Sequence, residues 1–134
     1  MLATASGFGW RARNGRMRAA AAAVAGPASD PAAIMLTPED IGAPLGSRAT
    51  LVQFSSAFCA PCRATRRILA DVAGMIDGVQ HVEIDAESRL DLVRRLDVMR
   101  TPTTLVLGPD GHVTHRASGQ PSKNDVIAAL GAAV

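Results

Sequence analysis

An apolar run, Ala49–Phe54 (ATLVQF), runs through a short polar loop into a helical pattern whose first turn holds both cysteines of the chain, Cys59 and Cys62. The run suits a buried strand. Beyond it, Ile68, Leu69, Val72, Ala73 and Ile76 recur at three- and four-residue spacing while Arg63, Arg66 and Arg67 largely avoid that face, so Cys59–Ile76 reads as one amphipathic helix. Val79–Asp85 (VQHVEID) then alternates as a strand does. A strand, a crossover helix and a second strand make a parallel pair, because the return connection is too long for a hairpin.

The flanking patterns extend this unit. Thr37-Pro38-Glu39-Asp40 offers an N-cap, a proline at the first helical position and acids in the first turn. Ser88-Arg89-Leu90-Asp91 has the form of a capping box and opens a helix through roughly Leu96. Thr103–Leu107 and His112–Ala117 flank Gly108-Pro109-Asp110-Gly111, a tight-turn signal, and predict a hairpin. Ser122-Lys123-Asn124-Asp125 caps a last helix ending near Ala133. The order predicts an α/β fold: a mixed central sheet of about four to five strands with helices on both faces.

At 134 residues the chain has room for one domain, placed at 34–134. Residues 1–33 differ in composition, with an Ala19–Ala23 tract and the breaks Gly26-Pro27 and Asp30-Pro31. Three readings of this segment stand. It is a flexible Arg/Ala-rich tail, or a secretory signal with an Ala23-Val24-Ala25 cleavage pattern, or the remnant of a membrane anchor. For the anchor, Met1–Trp10 (MLATASGFGW) is apolar, ends in an interfacial aromatic and is followed by Arg11, Arg13, Arg16 and Arg18. Ten residues rise only about 15 Å, so an anchor requires apolar sequence upstream. It places the domain in the cytoplasm, tethered at the inner membrane face; a signal exports it instead.

Charge follows the same division. The net +2 resolves into four arginines with no acid in 1–29, and ten cations against twelve acids in the remainder. The folded part is mildly acidic and the chain holds only three Phe and one Trp, so neither a basic face nor stacking platforms for nucleic acid are expected.

Two cysteines exclude a disulfide-stapled scaffold and a four-cysteine zinc site. Cys59-Ala60-Pro61-Cys62 is read as two ordinary buried thiols, half of a zinc site, or a redox pair. A zinc site would need two of His81, His112 and His115, and the last two stand three apart on a predicted strand and point to opposite faces. The strand-to-helix placement favours redox chemistry: amides at a helix start stabilise a thiolate, and a second thiol one turn on can resolve a mixed disulfide. Pro61 fits the first turn, where its missing N–H is not required. No metal is expected.

Over about residues 34–134 the chain resembles the thioredoxin family. Leu51–Arg63 (LVQFSSAFCAPCR) is similar to the family's strand and active-site loop, Arg100-Thr101-Pro102-Thr103 to its cis-proline loop, and Gly119 to the glycine near the end of its sheet. The resemblance implies a thioredoxin fold and a thiol–disulfide oxidoreductase working through Cys59 and Cys62 without an organic cofactor, in the reducing direction for a cytoplasmic domain. Protein disulfides would be its substrates, and a thioredoxin-reductase-like protein or other dithiol its electron donor; a monomer is expected. It further implies substrate docking at Arg100, Thr101, Pro102 and Gly119, with Phe58, Ala60 and Pro61 supplying apolar surface.

Two departures bear on mechanism. Phe58 stands where the family carries Trp, and Gln53 where it carries a buried Asp that assists proton removal from the second cysteine. Gln is no base. His81, on the neighbouring strand with Glu83 on the same face, is the candidate proton shuttle. A thioredoxin-like binding or scaffold module with little turnover is the alternative that Gln53 supports.

Overall fold

A computed structural model describes residues 15–19 and 34–133. Its elements, in chain order, are β1 (Arg18–Ala19), α1 (Pro38–Ile41), β2 (Ala49–Ser55), α2 (Ala60–Met75), β3 (Val79–Asp85), α3 (Leu90–Arg95), β4 (Thr103–Leu107), β5 (Val113–Ser118) and α4 (Lys123–Ala133). The strands form a single five-stranded sheet in the order β1-β5-β4-β2-β3. The α/β architecture expected from the sequence, a mixed sheet with helices on both faces, is the one observed.

β2 lies at the centre, and all seven of its residues are buried. It runs parallel to β3, with Gln53 opposite Glu83, and antiparallel to β4, with Gln53 opposite Thr104. Alternation along β2 and β4 splits the core in two. Val52, Phe54, Leu105 and Leu107 pack with Leu92 and Leu96 on the α1/α3 face. Ala49, Leu51 and Val106 pack on the other with Leu69 and Val72 of α2 and Val126, Ala129 and Leu130 of α4.

The predicted caps divide into two outcomes. At α1 the Thr37 hydroxyl accepts from the Asp40 N–H (3.2 Å) while the Asp40 carboxylate accepts from the Thr37 N–H (2.9 Å), a complete capping box with Pro38 at its first turn. At α3 the expected box does not form. Ser88 donates its hydroxyl to Asp85 (2.7 Å), whose carboxylate also accepts from the Glu87 N–H, so the side chain that would cap α3 is engaged by the end of β3. Arg89 precedes the helix without a side-chain cap and instead holds Asp91 and the Asp40 carbonyl oxygen (2.9 Å), joining α3 to α1.

Two further features were not read from sequence. β1 adds to the outer edge of β5, with Arg18 opposite Arg116 and Ala19 opposite His115, and the Gly15 N–H donates to the Ser118 carbonyl at 2.6 Å. Pairing of this kind uses backbone groups alone and leaves no side-chain period to detect. The anchor stretch Met1–Trp10 and the Ala23-Val24-Ala25 pattern lie outside the described residues; among the described residues no helix is long and apolar enough to cross a membrane.

The second feature is Arg116, half-buried on β5. Its guanidinium donates to the carbonyls of Leu96 (2.5 Å) and Asp97, satisfying acceptors that the end of α3 leaves open. Asp97 takes a left-handed backbone (φ +54°) and starts the segment leading to Pro102. Arg116→Ala should lower unfolding stability by about 1–3 kcal/mol in urea titration, whereas Arg94→Ala, on the exposed side of α3, should change it by less than about 0.5 kcal/mol. Equal effects would show that the guanidinium is no cap.

Candidate active site

β2 ends at Ser55, and the chain turns through Ser56–Phe58 into α2. Phe58 has a left-handed backbone (φ +61°) and a fully exposed ring. That turn leaves Cys59 in extended conformation as the N-cap of α2, its sulfur accepting from the Cys62 N–H at 3.2 Å. Pro61 sits in the first turn. Cys59 and Cys62 are joined as a disulfide, with Cα atoms 5.2 Å apart. They differ in access: Cys59 is part-exposed, whereas Cys62 is 1% exposed and faces the core. The unpaired amides of the helix start favour negative charge on the outer sulfur once the bond opens.

A second loop meets this one. The Thr101–Pro102 peptide bond is cis. Thr101 Oγ1 lies 2.9 Å from Ser56 Oγ, tying the loop before β4 to the loop before α2. Pro102 is buried and its carbonyl accepts from the Gly119 N–H at 2.7 Å, while the Arg100 carbonyl accepts from the Thr103 hydroxyl at 2.5 Å. The structure thus gathers Phe58, Cys59, Ala60, Pro61, Cys62, Thr101, Pro102 and Gly119 at one end of the sheet, with Arg100 on the loop that enters it. Ser56 was not singled out from the sequence; a serine in a polar loop carries no signal until the second loop is placed against it.

Beneath the first turn of α2 lies Gln53, which has no exposed surface. Its amide nitrogen donates to the Cys62 carbonyl at 2.8 Å, and its amide oxygen lies 3.2 Å from His81 Nε2. A carbonyl only accepts, so the nitrogen of Gln53 must face Cys62, and His81 Nε2 must carry the hydrogen it gives to the Gln53 oxygen. Gln53 therefore links His81 to Cys62. Burial pushes the His81 pKa below its ordinary value; Glu83 acts against this shift and Arg66 with it. Arg66 and Glu83 pair at 2.8 Å on the outer side of the same face. Arg63 is exposed on α2.

His81, on β3, stands apart from His112, beside the hairpin turn, and from His115, on β5. Among the described residues no three His, Cys, Asp or Glu side chains gather where a metal ion would be held.

The family model described as Thioredoxin matches residues 37–132. The chain belongs to the thioredoxin family. It is 28% identical over 95 residues to a thioredoxin of Staphylococcus epidermidis, covering 69% of this chain and 90% of that one. It is 33% identical over 73 residues to human thioredoxin domain-containing protein 2, covering 52% of this chain and 13% of that protein. Among solved structures, a mutant thioredoxin from Halobacterium salinarum matches with TM-score 0.60 at 17% identity over 65% of this chain and 75% of that one. Schistosoma mansoni thioredoxin matches at 0.58 and 16% over 66% and 82%. These last two likenesses bear on the fold. With the Cys59–Cys62 pair at the head of α2, the family assignment makes the protein a thiol–disulfide oxidoreductase acting on protein disulfides.

Because burial lowers the His81 pKa, the unfolded chain binds more protons at this site than the folded one as pH falls through about 6.5. Stability present above that pH is lost as pH falls toward the depressed folded value. His81→Gln, which keeps a donor for the Gln53 oxygen, should therefore lose less of its urea midpoint between pH 7 and pH 5 than the wild type. Parallel declines in the two proteins would assign the acid sensitivity to other groups.

Proposed function

We propose that the protein reduces disulfides in protein substrates, with Cys59 attacking and Cys62 resolving. The observation that carries this division is the unequal access of the two sulfurs, one part-exposed at a helix start and the other buried a turn further on. Cys59 thiolate forms a bond to one substrate sulfur as the substrate disulfide breaks and its other sulfur leaves as a thiolate. Cys62 then loses its proton to solvent and bonds to Cys59 Sγ. The mixed disulfide breaks, and both substrate sulfurs end as thiols after taking protons from solvent. Two electrons pass from the Cys59/Cys62 dithiol to the substrate, and a thioredoxin-reductase-like protein or another dithiol returns them.

Substrate docking is assigned to the surface around this pair: Phe58, Ala60 and Pro61 on one side, Arg100, Thr101, Pro102 and Gly119 on the other. The backbone of Thr101 is the edge that an extended peptide would meet. The arginines after Trp10 support placement on the cytoplasmic side of a membrane, where the glutathione poise favours reduction.

Insulin reduction measures the activity directly. Cys59→Ser should fall to the uncatalysed background, and Cys62→Ser should hold substrates covalently at Cys59. A wild type no faster than Cys59→Ser, or an empty Cys62→Ser trap, would leave a binding module in its place. Redox titration decides direction: a midpoint near about −270 mV fits a reductant, and one near about −120 mV an oxidant.

A further inference from the structure

One buried side-chain oxygen among the described residues has no hydrogen-bond partner: Thr104 Oγ1, on a residue with no exposed surface. Such an atom destabilises the state in which it is unpaired, and its retention points to a use in another state. Its position suggests which state. Thr104 on β4 lies directly opposite Gln53 on β2, so the two side chains share one face of the sheet. On that face Gln53 holds the first turn of α2 by the Cys62 carbonyl.

The chemistry of Cys62 changes when the disulfide opens. Bonded to Cys59, its sulfur carries no charge. Released from a position that is 1% exposed in the disulfide, it becomes a thiol that must pass through a thiolate to close the ring again. A buried thiolate needs donors. No carboxylate stands on β2 or β4 beneath it, and Gln53 commits an amide N–H to the Cys62 carbonyl and its oxygen to His81.

We propose that Thr104 is a catalytic residue, its hydroxyl donating a hydrogen bond to Cys62 Sγ in the reduced and mixed-disulfide states. This rests on the resolving role given to Cys62 above. In the resolving step the Cys62 proton leaves to solvent, the Cys62–Cys59 bond forms and the Cys59–substrate bond breaks. The departing thiolate takes a proton from solvent, while Thr104 keeps its own.

Stopped-flow reaction of the full reduced chain with Ellman's reagent separates the steps, since attack by Cys59 and resolution by Cys62 each release one nitrothiobenzoate. Thr104→Val should slow the second release about tenfold at pH 7 and move its limiting pKa upward, with the first release unchanged. Thr104→Ser, which retains a hydroxyl, should stay within about twofold of wild type. The oxidised Thr104→Val protein should be at least as stable in urea as the wild type, having shed an unpaired hydroxyl. A second release in Thr104→Val within twofold of wild type would overturn the assignment, as would Thr104→Ser as slow as Thr104→Val. Should the valine variant fail to fold by circular dichroism, Thr104→Ala is read against the same limits. A wild type that releases only one equivalent would overturn the resolving role of Cys62 itself, and this inference with it.

Discussion

The central strand is buried on both faces and paired on both edges, and the placement of the site follows from that. Because β2 is held by β3 on one side and β4 on the other, the point where it ends is fixed, and so is the start of α2. β4 runs antiparallel to β2, so its first residue lies beside the last residues of β2; Phe54 faces Thr103. β5 runs antiparallel to β4, which brings its end, Ser118, back opposite Thr103. Cys59, Thr101 and Gly119 are far apart in sequence, yet strand direction alone delivers them to one end of the sheet. The Ser56–Thr101 and Gly119–Pro102 hydrogen bonds then fasten loops that topology has already made neighbours.

A polar residue in the middle of such a strand must be fully partnered. Gln53 meets this with one bond to α2 and one to β3, so a single side chain joins Cys62, the central strand and His81. An amide does this without a charge at any pH. A carboxylate in its place would also store a proton, coupling the packing of α2 to acidity. Here the two are separate: the amide fixes geometry, and titration belongs to His81, whose pKa burial and Arg66 lower and Glu83 raises. The proton of the inner thiol consequently has no buried carboxylate to receive it on β2.

The parts of the fold that could be read in the sequence were those written in local periods. The alternation of β3, the three-and-four spacing of α2 and the turn before β5 each occupy a contiguous stretch, and the Cys59/Cys62 pair is visible because its spacing sits on a strand-to-helix junction. What escaped was non-local. Thr104 looks like any strand threonine until register sets it against Gln53. Arg116 looks like a solvent-facing strand residue until its guanidinium is found on carbonyls 19 and 20 positions earlier. Ser88 shows the reverse failure: its local pattern was correct for a cap, and a neighbouring aspartate competed for the hydroxyl. The role of Gln53 as a non-base was legible from its chemistry, but its bond to the Cys62 carbonyl was not.

The outer edge of β5 carries this reasoning one step further. A strand there would ordinarily present unpaired amides and carbonyls to other chains. Two separate stretches cover it: residues 15–19 pair along Ser118–His115, and Ile34–Leu36 pair along Val113–Gly111. Among the described residues, Ala19 meets the edge at His115 and Ile34 meets it at Val113. Because the first stretch runs antiparallel to β5, Gly15 meets Ser118, at the end of the sheet that holds the cysteines. There a side chain at position 15 would collide with the Gln120 carbonyl, and its positive φ favours glycine on backbone grounds as well. Whatever precedes residue 15 is therefore joined to the domain beside Gly119 and Pro102 rather than at the opposite end. The end of the sheet that holds Cys59 and the point where residue 15 joins it are the same place.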